Sequence, residues 1–169
     1  MATATYDLIA SQTLGTAAAS ITFSSIAASW TDLRLVFVGN SSAANRYLTL
    51  TFNADSGTNY SMTYLVGDGT SAASGNRTSD TSLYTNNYGG SSITIPQFIT
   101  ADIFSYTGST YKTVLCTTSS DKNGSGNTDR VVGLWRSTSA ITSITMQYLT
   151  TGSNINAGTT AQLYGIKSA

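Results

Sequence analysis

In Tyr47-Leu48-Thr49-Leu50-Thr51-Phe52-Asn53, Leu48, Leu50 and Phe52 occupy every second position, with Thr49 and Thr51 between them. Successive side chains of a strand point to opposite faces, so this stretch predicts a half-buried strand with its leucines and phenylalanine inward. Upstream, Leu33-Arg34-Leu35-Val36-Phe37-Val38 repeats the pattern: Leu33, Leu35 and Phe37 share a face and Arg34 opens the other. Further strands are expected at Tyr60 to Val66, Ile93 to Ile95, Phe98 to Tyr106, Tyr111 to Cys116, Val131 to Arg136, Ile141 to Leu149 and Ala161 to Lys167. Weaker ones fall at Tyr6 to Leu14 and Ser20 to Phe23.

Turn signals separate these runs: Gly39-Asn40-Ser41-Ser42, Ala54-Asp55-Ser56-Gly57, Gly67-Asp68-Gly69, Asn86-Asn87-Tyr88-Gly89-Gly90 and the stretch from Asp121 to Asp129. The two longest polar stretches, Gly67 to Ser82 and Thr117 to Thr128, are expected as loops at the ends of the fold, and Pro96 as a break between two strands. About ten strands and no significant helix predict an all-β chain, a two-sheet antiparallel sandwich or a barrel, as a single domain over residues 1–169. At this length a domain buries roughly 70% of the surface its unfolded chain exposes, enough for a core without staples.

Only 9% of the residues are charged, and Lys plus Arg balance Asp at eight each, with no Glu. Ser, Thr, Asn and Gly therefore make the surface, and no long-range field draws the chain to phosphate backbones or anionic lipid. Nucleic acid and membrane are not expected partners. Cys116 is the only cysteine, which excludes an intrachain disulfide, and no apolar run approaches the roughly 20 residues of a membrane span. The segment Met1 to Asp7 has neither the basic nor the apolar region of a secretory signal. An exposed-looking surface without disulfides or export signal fits a protein made in a bacterial cytoplasm and released by lysis inside a particle. A mature chain whose signal has been removed, or a cytosolic binding domain, would fit it too.

Histidine is absent, which removes Ser-His-Asp and Cys-His machinery together with the commonest metal ligand. The eight carboxylates, Asp7, Asp32, Asp55, Asp68, Asp80, Asp102, Asp121 and Asp129, are scattered and mostly in turns, where Asp ordinarily caps the backbone. No enzyme activity, catalytic residue or cofactor is expected. Asp121-Lys122-Asn123-Gly124-Ser125-Gly126-Asn127-Thr128-Asp129 places oxygen side chains at alternate positions with Gly sixth, like the first half of a calcium loop. Val132 stands where the twelfth, bidentate acid belongs, so a hydrophilic turn is the expected reading and no metal is assigned. Trp30, Tyr60, Tyr64, Tyr84, Tyr88 and Trp135 could form a saccharide platform, but core or subunit-interface roles are the leading expectation. Trp135-Arg136 is the expected interface anchor. Cys116 is expected as a small buried hydrophobe.

Tyr6-Asp7-Leu8-Ile9-Ala10, Ile21-Thr22-Phe23-Ser24-Ser25-Ile26, Trp30-Thr31-Asp32-Leu33-Arg34-Leu35-Val36, Val132-Gly133-Leu134-Trp135-Arg136-Ser137 and Leu163-Tyr164-Gly165-Ile166-Lys167 together resemble a group of small virion proteins of tailed bacteriophages, notably of cyanobacterial and marine phages. The resemblance implies a jelly-roll β-sandwich on the virion surface, serving as a capsid cement or decoration protein that binds the major capsid protein. A homotrimer that bridges capsomers is the expected assembly. The alternative it implies is a tail-fibre or head-fibre module that recognises host glycan. It supplies no functional residue.

Overall fold

The structure, a computed structural model, describes residues 5–87, 91–150 and 152–167. Every regular element among them is a strand: β1 (Tyr6–Thr13), β2 (Ser20–Phe23), β3 (Asp32–Gly39), β4 (Leu48–Phe52), β5 (Tyr60–Gly67), β6 (Ala72–Asp80), β7 (Leu83–Tyr84), β8 (Gln97–Ile103), β9 (Lys112–Ser120), β10 (Asn127–Trp135), β11 (Ile144–Tyr148) and β12 (Thr160–Ile166). They form an eight-stranded sheet, in the order β1-β12-β3-β8-β9-β10-β5-β6, and a four-stranded sheet, β2-β11-β4-β7. All pairings are antiparallel.

The pairs nest along the chain: β1 with β12, β2 with β11, β3 with β8 and β4 with β7, each successive pair lying in the other sheet. Two hairpins interrupt the nest. β5–β6 lies between β4 and β7, β9–β10 lies between β8 and β11, and the β5·β10 pairing joins them into an extension of the larger sheet.

The core forms where alternation predicts it. Leu33, Leu35 and Phe37 of β3 and Leu48, Leu50 and Phe52 of β4 are buried in one cluster with Ile21, Ile144, Met146 and Leu163. Each such side chain contributes about 1.5–3 kcal/mol on leaving water. Thr49, expected outward, is buried as well; its hydroxyl donates to the Gln147 carbonyl of the adjacent β11 at 3.1 Å, which compensates its desolvation.

Three expectations are corrected. Gly67 to Ser82 is not a loop: β6 runs through it, paired with β5 across a turn at Asp68 to Ser71. Its sequence lacks alternation because it is a sheet-edge strand, mostly exposed on both faces. Thr117 to Thr128 also shrinks to a short connection, because β9 continues to Ser120 and β10 starts at Asn127. There the inward positions Thr118, Asn127 and Asp129 are polar and satisfied by hydrogen bonds, so burial leaves no apolar signature. Finally, Ile93 to Ile95 forms no strand, and Pro96 simply precedes β8.

Candidate binding surfaces

Three of the six aromatic residues take the core role that was their leading expectation, and these do not form a saccharide platform. Tyr60 and Trp135 are core residues, 0% and 2% exposed, and Tyr84 is buried. Tyr64 lies across Gly75 of β6, where an added Cβ would meet its hydroxyl at 2.5 Å, and Trp30 covers Gly165 in the same way. Tyr88 lies outside the described residues. Trp135 packs on Phe52 with ring centres 5.5 Å apart and stacks on Tyr60 at 6.5 Å. Its indole N–H donates to Asp55 Oδ2 at 2.7 Å, while the Tyr60 hydroxyl donates to the Asp55 carbonyl and accepts from the Phe52 N–H. Arg136 donates to the Thr58 carbonyl. The dipeptide Trp135-Arg136 thus ties β10 to the turn between β4 and β5, and the indole, on the inward face of β10, is a core side chain.

The carboxylates serve local structure. Asp55 is held below its ordinary value chiefly by the Trp135 indole, with Asn59 and the Gly57 N–H helping. Asp7 is lowered by Trp30 and Lys167. Asp102 pairs with Arg34 at 3.4 Å. Asp121 accepts the Gly124 N–H at 2.8 Å, whereas Asp129 is buried and accepts the Asn87 N–H at 3.0 Å and the Asn127 amide. The two ends of the calcium-like loop therefore do different work. Among the described residues, no three His, Cys, Asp or Glu gather to hold an ion. Cys116 is fully buried, and burial pushes its thiol up to about 12.

These shifts set a pH profile. Asp7 and Asp55 have folded values below 3.8, so the stability they contribute is complete above that value and is lost as pH falls through the lower folded value. Burial raises Tyr60 from 10.0 to about 12, so its contribution is complete below 10 and lost as pH rises towards 12. With no histidine, no side chain ordinarily titrates between about 5 and 8. The melting temperature, followed by far-UV circular dichroism, is expected to be flat across that range and to fall on both flanks; a step between pH 5 and 8 would contradict this.

Two surfaces stand out. The first is a cleft of about 490 Å³ at the loop end of the sandwich, reached by Asn45 and Tyr47 before β4, Asn87 after β7, Asp68 in the β5–β6 turn, and Lys122, Ser125 and Asn127 around the β9–β10 connection. Its rim is braced. Asp68 accepts hydrogen bonds from the backbone N–H groups and hydroxyls of both Thr70 and Ser71, which hold its carboxyl well below the usual range. The β9–β10 loop and the Gly67-Asp68-Gly69 turn carry turn signals in the sequence, whereas Asn45 carries none and Tyr47 reads only as the start of an alternating strand.

The second surface is the outward face of the eight-stranded sheet. In register across β3, β8, β9, β10 and β5 run Val38-Phe98-Ser119-Thr128-Gly67, then Val36-Thr100-Thr117-Arg130-Leu65, then Arg34-Asp102-Leu115-Val132-Thr63. Phe98, Leu65 and Val132 are 47%, 58% and 50% exposed, and the charges in these rows are the Arg34–Asp102 pair and Arg130. Strands about 4.8 Å apart, rising about 3.3 Å per residue, give this five-strand face roughly 500 Å².

No protein-family model matches this chain, and no curated protein matches it.

Proposed function

We propose that this chain is a virion structural protein of a tailed bacteriophage, a capsid cement or decoration protein that binds the assembled shell and stabilises contacts between capsomers. The outward face of the eight-stranded sheet carries the reading: it is broad, its charges are the Arg34–Asp102 pair and Arg130, and it mixes Val, Leu and Phe with Thr. Such a face suits a partner surface of mixed polarity. The segments that resemble phage virion proteins support it. So does the nested pairing of the two antiparallel sheets, which is what a jelly roll with two inserted hairpins would require.

In this reading the major capsid protein is the partner, the virion surface is the location, and no reaction is catalysed. A face of this size is small beside the roughly 800 Å² that each partner of a standard interface buries. A homotrimer supplies the difference, because three linked feet raise avidity by about 10²–10⁴ without any new contact. Binding only the assembled lattice then stabilises it by mass action.

The test is co-sedimentation of the protein with assembled shells of the phage that encodes it, and its copy number in purified particles. Hundreds of copies per particle are expected, on the scale of the major capsid protein. Val132→Asp should weaken shell binding about 30-fold or more, since an unpaired carboxylate in that contact costs at least about 2 kcal/mol. Absence from particles, or shell binding indifferent to Val132→Asp and Leu65→Asp, would overturn the reading.

A fibre module that recognises host glycan is the second reading. The polar cleft at the loop end favours it. Tens of copies per particle or fewer, and binding to host cells without binding to shells, would select it.

A further inference from the structure

We infer that the loop-end cleft is a saccharide-binding site. This deepens the second reading above, glycan recognition, and rests on it.

The fold leaves hydrogen-bonding capacity unused at this cleft. Among the described residues no hydrogen bond or ion pair engages the side-chain amides of Asn45 and Asn87 or the ammonium of Lys122, and all three line one cleft. Asn127 spends its NH₂ on Asp129 and keeps its carbonyl oxygen. An amide both donates and accepts, and so does a sugar hydroxyl. A phosphate or nucleotide would need several cations, whereas this cleft has Lys122 and, against it, the ionised Asp68. The lining therefore suits a polyhydroxylated ligand with at most one negative charge.

The cleft is also built before any ligand arrives. Tyr47 sets its ring edge-on to Tyr84, with centres 5.6 Å apart. The Arg77 guanidinium lies 4.3 Å from the Tyr84 ring centre, donates to its hydroxyl, and is held in turn by Asp80 at 2.9 Å. On the other side one buried carboxylate, Asp129, fixes both the Asn127 amide and the Asn87 N–H. A ring and a cleft wall fixed in advance lower the ordering cost of a weak polar ligand. The volume of about 490 Å³ lies inside the range of about 300–1,000 Å³ usual for small-molecule sites.

The experiment titrates the isotopically labelled full chain with galactose, N-acetylglucosamine and glucuronic acid in ¹H–¹⁵N correlation spectra. In parallel, an array of bacterial surface polysaccharides is probed with wild type, Asn87→Ala, Lys122→Ala and Tyr47→Ala. The expected result is saturable shifts confined to the segments around Asn45, Asn87 and Lys122 to Asn127. Array binding should fall about tenfold or more in Asn87→Ala, whose half-buried side-chain amide makes no hydrogen bond among the described residues, and in Tyr47→Ala. Preference for glucuronic acid that disappears in Lys122→Ala assigns an acidic sugar; equal response to the neutral sugars assigns a neutral one. Array binding that survives all three substitutions, with shifts elsewhere, overturns this site while glycan recognition stands. Silence of the wild type towards every sugar and polysaccharide overturns glycan recognition itself, and the site with it.

Discussion

Trp135→Ala lowers the free energy of unfolding by about 3–5 kcal/mol, the range for deleting a buried indole that the surroundings cannot refill. Trp135 is 2% exposed, sits between Phe52 and Tyr60, and reaches from β10 to the turn that joins β4 to β5. Two sheets and a turn therefore lose contacts together. Urea denaturation followed by far-UV circular dichroism measures the loss. Trp135→Phe separates packing from hydrogen bonding, since it keeps an aromatic ring and removes the N–H that Asp55 accepts. That variant is expected to lose about 1.5–3 kcal/mol, the usual worth of a hydrogen bond to a charged group. It should also weaken the acid limb of the pH profile, because the largest cause of the lowered Asp55 value is gone. A Trp135→Ala loss below 1 kcal/mol would mean that the core is not organised around this residue.

Gly165→Val is the second large effect, about 2–4 kcal/mol, and it acts through Trp30. A Cβ at Gly165 would stand 2.3 Å from the indole carbons of Trp30, and a ring cannot yield as the tip of a flexible side chain can. The valine expels the indole from its seat, which forfeits the ring's burial and its 3.0 Å hydrogen bond to Asp7 Oδ2. Asp7 belongs to β1, the edge strand next to β12, and also pairs with Lys167 at 3.2 Å. Hydrogen exchange should therefore quicken first in β1. The double variant Trp30→Ala with Gly165→Val is expected to be much less damaged than the sum of the two single changes, because the clash exists only while the ring is present. Strict additivity would show that the ring and the glycine do not meet.

The strands legible in the sequence were those with one face in the core. β3 and β4 lie inside their sheets and alternate cleanly, so Leu33, Leu35, Phe37, Leu48, Leu50 and Phe52 announce themselves. β6 was illegible because Ala72 to Asp80 lies at an edge and is held by backbone pairing with β5, which any side chains of modest size allow. The extra turn-side residues of β9 and β10 were misread for a different reason: Thr118, Asn127 and Asp129 are buried by hydrogen bonding, which hydropathy cannot register. Residue type narrowed the aromatics to core or interface and could go no further. Residue type cannot tell that Tyr60 and Trp135 are partners across β5 and β10 on the inward face.

Composition and period-two alternation by themselves determined that this chain is all-β and that its chemistry must do without imidazole or glutamate, because both properties are local and need no knowledge of what packs where. Only the tertiary structure decided that Trp135 is core, that β6 extends the larger sheet, and that Asn45, Asn87 and Lys122 line one cleft. Those outcomes depend on strand order, which brings together residues far apart in the chain, and no short window of sequence contains that information.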